Sequence, residues 1–135
     1  IGIAAADRAK EVIGVELNRV AVRDAVLNAK MNQVKNVRFY CNDAGRFMTQ
    51  MAAGKASADV VFLDPPRSGS TEEFIQAVAV LSPRRVVYIS CNPETLARDL
   101  AVFRKKGYQA KEAWAVDMFP WVPHCECVVK LERRS

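Results

Sequence analysis

Along the whole chain, short apolar runs alternate with longer stretches in which apolar residues recur every three or four positions. The first pattern predicts buried strands and the second amphipathic helices. Val12 to Val15 reads as a strand ending at Glu16, and Asn18 then caps a helix whose inward face is Val22, Val26 and Ala29. A second strand covers Val37 to Tyr40, and Asp43 caps a short helix reaching about Met51. Asp59-Val60-Val61-Phe62-Leu63 is a continuous apolar run of the kind found inside parallel sheets, and it ends on Asp64. Ser70-Thr71-Glu72-Glu73 has the form of a capping box opening a helix with Phe74, Val78 and Leu81 on one face. Val86 to Ile89 follows as a strand. A helix from Pro93 then buries Leu96, Leu100 and Phe103 and closes with Lys105-Lys106 and Gly107 as the C′ glycine. Two last strands cover about Ala110 to Val116 and Cys127 to Leu131. The alternation predicts an α/β fold with helices on both faces of the sheet, without internal repeats or linkers.

Ligands of open α/β sheets bind beyond the C-terminal strand ends. Glu16, Asp43, Asp64 and Cys91 all fall at or just past such ends. An acid placed like Glu16 commonly receives ribose hydroxyls. Each residue also has a structural reading: Glu16 as a solvated strand end, Asp43 as a helix cap, Asp64 as the start of a Pro-Pro turn, and Cys91 as an inert core thiol. Cys91 lies in Ser90-Cys91-Asn92-Pro93, where a strand passes into a helix that Asn92 caps and Pro93 opens. Unpaired backbone N–H groups at such a junction favour a thiolate.

Composition narrows the class without choosing a chemistry. The 135 residues predict one domain, 1–135, half hydrophobic and about a quarter charged, as in globular chains. No apolar stretch approaches the roughly 18 residues of a membrane span, and no basic-then-apolar leader opens the chain. Four cysteines are too few for a secreted disulfide scaffold, so a cytoplasmic protein with reduced thiols is expected. The net charge of +5 permits a polyanionic partner without requiring one. Arg84-Arg85, Arg104-Lys105-Lys106 and Arg133-Arg134 fit helix ends and a solvated tail equally well.

Taken in order, Asp64-Pro65-Pro66-Arg67, Ser90-Cys91-Asn92-Pro93 and Phe119-Pro120 followed by His124-Cys125-Glu126 resemble the S-adenosylmethionine-dependent RNA uracil-5-methyltransferases. The resemblance runs from Gly2 to about Leu131 and implies the C-terminal part of that family's catalytic domain, a Rossmann-like class I methyltransferase sheet. It implies Cys91 as the nucleophile that adds to uracil C6, and Glu126 as the base that removes the C5 proton. It further implies cofactor contacts from Glu16 at the ribose, Asp43 near the adenine and Asp64 at the cofactor and uracil pocket. Arg67 stands where amino-methylating relatives carry an aromatic residue, which favours a carbon target. The implied partners are S-adenosylmethionine and RNA. Ribosomal RNA is placed before transfer RNA as the target, and no membrane or metal is implied.

Two departures qualify the resemblance. Val122 replaces the threonine usual two residues before the histidine, which removes a hydroxyl and leaves the role of His124 open. Ile1-Gly2-Ile3-Ala4-Ala5-Ala6 matches only the end of the family's glycine-rich loop and the helix it opens. The first strand and the earlier glycines are therefore expected to be missing, leaving a fragment inactive by itself. The missing strand is central, so its loss predicts either direct closure of the gap or association through exposed sheet edges. Two further readings compete. One is a non-catalytic RNA-binding or assembly module using the positive charge. The other is a metal site from His124, Cys125, Cys127 and Cys41, whose spacing suits structural zinc poorly.

Overall fold

The computed structural model describes residues 1–118, 120–122 and 125–134. The elements in chain order are α1 (Gly2–Ala5), a 3-10 turn (Ala6–Arg8), β1 (Val12–Glu16), α2 (Arg19–Met31), β2 (Val37–Cys41), α3 (Ala44–Ala53), β3 (Val60–Leu63), α4 (Glu72–Leu81), β4 (Arg85–Ser90), α5 (Pro93–Lys105), β5 (Tyr108–Val116) and β6 (Glu126–Arg133). Every strand and long helix expected from the apolar pattern is present, most within one or two residues of its expected limits. The chain forms two compact units, Ile1–Phe47 and Met48–Ser135, with the boundary inside α3.

In the first unit β1 and β2 form a parallel pair running from Val12 opposite Val37 to Glu16 opposite Cys41. The Asn36 side-chain amide donates to the carbonyls of Ala6 and Ala9, both at 2.8 Å, tying the 3-10 turn to the entrance of β2. Asn18 caps α2 as expected, accepting from Val20 and Ala21.

The second unit is a four-stranded sheet of order β3-β4-β6-β5, parallel between β3 and β4 and antiparallel elsewhere. Along β4 burial alternates strictly, so that Val86, Tyr88 and Ser90 point to one face. Val86 pairs with Leu131 and Tyr88 with Val129, and these buried pairs meet Ile75, Val78, Leu96 and Phe103 from α4 and α5. Removing such a side chain from water stabilises the fold by about 1.5–3 kcal/mol. Phe103 lies edge-on between Tyr88 and Tyr108, with ring centroids 6.4 and 5.8 Å away.

One expectation is corrected. The cap of α4 is Thr71, whose Oγ1 accepts from the N–H of Phe74, while Ser70 turns its own N–H to Asp99. Among the described residues β1 pairs with β2 in the two-stranded sheet, and β3 pairs with β4 at one end of the four-stranded sheet. Each keeps an unpaired edge among the described residues, since five- and four-residue strands gain a ladder only where a partner lies at hydrogen-bonding distance.

Candidate active site

The second unit brings two of the expected motifs together. Ser90 Oγ accepts from the N–H of Asn92 at 3.1 Å and donates to the Asn92 carbonyl at 3.0 Å, which makes a rigid elbow of the residues around Cys91. Asn92 Oδ1 then caps α5 by accepting from Glu94 at 3.0 Å, with Pro93 in the first turn. The other end of that amide, Nδ2, donates to the carbonyl oxygen of Arg67 at 3.1 Å, and Thr95 Oγ1 reaches the same oxygen at 3.1 Å. The loop that starts at Asp64 is therefore bonded to the helix that starts after Cys91. Cys91 is half-buried with a free thiol, while Asp64 and Arg67 are exposed.

The antiparallel register supplies the third motif. Ser90 is the last residue of β4 and pairs with Cys127. Cys91 follows Ser90 and Glu126 precedes Cys127, so both lie one step beyond the last registered pair, at the same end of neighbouring strands. Glu126 is half-buried and pairs on its other side with Val116 of β5. A thiol and a carboxylate, both half-buried, at the same end of neighbouring strands are the two groups that addition followed by proton removal needs. Phe119, Pro123 and His124 lie outside the described residues, so the reading of His124 does too.

Around Cys127 the chemistry differs. Burial first, and then the neighbouring Cys125 thiol, push the Cys127 thiol up. Cys125 Sγ lies 3.4 Å from the carbonyl oxygen of Glu126. Among the described residues no group of three His, Cys, Asp or Glu side chains could hold a metal ion.

In the first unit, Glu16 ends β1 and is exposed. One of its carboxylate oxygens accepts from the N–H of Asn18 at 2.7 Å, which orients the group and leaves the second oxygen for a ligand hydroxyl. Asp43 is also exposed and caps α3, with Oδ1 accepting from Arg46 at 2.8 Å, so its structural role is real. Oxygen acceptors of this kind suit a ligand that donates hydroxyl hydrogens, as a ribose does. A Cβ at Gly2 would lie 3.3 Å from Val12 Cγ1, so the small residue lets α1 sit close to β1.

Sequence reasoning missed Asp99. It is 1% exposed and bonds both Tyr88 and the loop after Asp64. A signal existed in Tyr88, whose place on the inward face of β4 requires a buried partner for its hydroxyl.

Comparison with known proteins identifies the family and the fold. The family model described as tRNA (Uracil-5-)-methyltransferase matches residues 1–134. An uncharacterized RNA methyltransferase of Lactobacillus johnsonii is 45% identical over 133 residues, covering 98% of this chain and 30% of the relative. Another from Halalkalibacterium halodurans is 44% identical over 135 residues, covering 100% of this chain and 30% of the relative. The Pyrococcus abyssi tRNA (uracil-54, C5)-methyltransferase, solved with S-adenosyl-L-homocysteine, superposes with a TM-score of 0.80 at 34% identity, covering 96% of this chain and 31% of that one. The chain thus spans about 30% of the length of the curated relatives it matches. An α/β methyltransferase fold with the three motifs in order places the chain in one group: it belongs to the tRNA (uracil-5-)-methyltransferase family.

Proposed function

We propose that this chain carries the catalytic part of an enzyme that transfers a methyl group from S-adenosylmethionine to C5 of a uridine in RNA. The observation that supports this reading is the Ser90–Cys127 pair, beyond which Cys91 and Glu126 are the next residues of β4's and β6's chain segments. Uracil C5 is a poor nucleophile. Addition of the Cys91 thiolate to C6 breaks the C5–C6 double bond and moves its electrons into an enolate, which makes C5 nucleophilic. When bound, S-adenosylmethionine supplies an electrophilic methyl group on a sulfonium centre. After C5 is methylated, Glu126 takes the C5 proton, the double bond re-forms and the C6–S bond breaks, releasing Cys91 as thiolate.

Glu16 receives ribose hydroxyls of the donor, Asp43 serves its adenine end, and Asp64 serves the donor and uracil pocket. The complete protein acts in the cytoplasm with reduced thiols, and this chain alone is inactive. Ribosomal RNA is the first target to examine, and transfer RNA, on which the Pyrococcus abyssi enzyme acts, is the second. The test is to incubate the full-length protein with methyl-labelled donor and each RNA, followed by nucleoside mass spectrometry. Labelled 5-methyluridine is expected; label on another nucleoside, or none, rejects the reading.

A further inference from the structure

Asp99 is a carboxylate at 1% exposure, two turns along the helix that Cys91 opens, and no step above uses it. Burying a charge is costly unless donors surround it. Here they do: Tyr88 Oη donates at 2.5 Å, the N–H of Ser70 at 2.6 Å, and Arg98 through Nε at 2.9 Å, with Arg98 Nη2 2.8 Å away. The same Arg98 Nη2 donates to the carbonyls of Ser68 at 2.8 Å and Ser70 at 3.2 Å. On the loop side, these contacts are to backbone atoms.

We propose that Asp99 and Arg98 are positioning residues that lock the 64–71 loop onto α5, so that Asp64 and Arg67 keep a fixed place relative to Cys91. The proposal rests on Cys91 being the nucleophile. Three features favour a lock over general core stabilisation. The contacts fall on consecutive carbonyls, Arg67 taken by Asn92 and Thr95 and Ser68 by Arg98, so a shift of the loop breaks them together. Gly69 has φ +77°, and a Cβ there would stand 2.6 Å from Asp99 Oδ2, so the backbone is pressed against the pair. A cavity of about 400 Å³ beside Ser68, Ser70, Arg98 and Val102 gives the loop room to move once the lock is broken.

The test compares Asp99→Asn and Arg98→Gln with the parent in the full-length protein, measuring steady-state methylation, thermal midpoint and the rate of Cys91 adduct formation on 5-fluorouridine RNA. Misplacing reactive groups by about 1 Å costs up to about 100-fold, so kcat and the adduct rate should fall together by about 10- to 100-fold. KM for RNA should stay within about twofold. Arg98 is 55% exposed along its side chain, so Arg98→Gln should fold and decides the question if Asp99→Asn does not. A lower thermal midpoint with parental kcat and adduct rate overturns the proposal, as does a change confined to KM. Cys91→Ala is run beside them: retained methylation there rejects the nucleophile itself, a different failure from parental kcat in the Arg98 variant.

Discussion

Asn92 donates from Nδ2 to the carbonyl oxygen of Arg67, 3.1 Å away, while its Oδ1 caps the helix after Cys91. One amide thus serves the helix with one end and the loop after Asp64 with the other. Serine caps helices about as well as asparagine but has no amide to reach Arg67. Asn92→Ser should therefore leave the thermal midpoint of the full-length protein nearly unchanged and lower kcat by about tenfold. Equal activity in the two proteins would reduce the Arg67 contact to packing.

The capping role of Asn92 was legible in the sequence, because a cap depends only on residues two or three positions away. Its bond to Arg67 was not, since the partner lies 25 residues earlier and the contact exists only after β3 and β4 pair. Asp99 was hidden for a similar reason: beside Arg98 on a helix it reads as a solvated charge, and only the inward turn of Tyr88 gives it a place. The choice of Thr71 over Ser70 as cap follows from the same network, because Asp99 takes the Ser70 N–H. The place of β6 between β4 and β5 was not legible, since periodicity marks strands without ordering them.

Glu126 and Cys91 should separate in their effects. Without a base the methylated adduct cannot lose its C5 proton, so Glu126→Gln should form a Cys91–C6 adduct on ordinary uridine RNA and hold it. Turnover should drop about 10²- to 10⁴-fold. Cys91→Ala should form no adduct and no product. Denaturing gels followed by peptide mass spectrometry distinguish the two, and a Glu126→Gln protein that turns over at the parental rate removes Glu126 from the role of base.

The tyrosines set an alkaline limit on stability. Burial, and then the hydrogen bond to Asp99, raise Tyr88 far above its ordinary value of 10.0, with Ser70 partly opposing. Burial also raises Tyr108, against the opposing charge of Arg133. The folded state therefore holds protons that the unfolded chain releases above about pH 10. The stabilisation is complete below that value and is lost as pH climbs toward the raised folded-state values. Unfolding midpoints should fall above about pH 10, and Tyr88→Phe should make the fall shallower while lowering the midpoint at neutral pH. An unchanged slope in Tyr88→Phe would assign the alkaline loss to other groups.

Among the described residues β1 and β3 each have an unpaired edge, and they carry exposed apolar residues, among them Ile13 at 41%, Val60 at 38% and Phe62 at 45%. Such edges invite pairing with another chain. The 135-residue chain by itself should self-associate with rising concentration, and Phe62→Lys should weaken that association. Light scattering coupled to size exclusion checks it, and a monomer at all concentrations would contradict it.

The most direct measurement is the covalent adduct itself. RNA containing 5-fluorouridine cannot lose its C5 substituent as a proton, so addition and methylation should leave the enzyme bound. When the full-length protein is incubated with S-adenosylmethionine and that RNA, then digested, mass spectrometry should find the nucleotide on the peptide containing Cys91. An adduct on another residue, or active enzyme with no adduct at Cys91, would contradict the covalent mechanism.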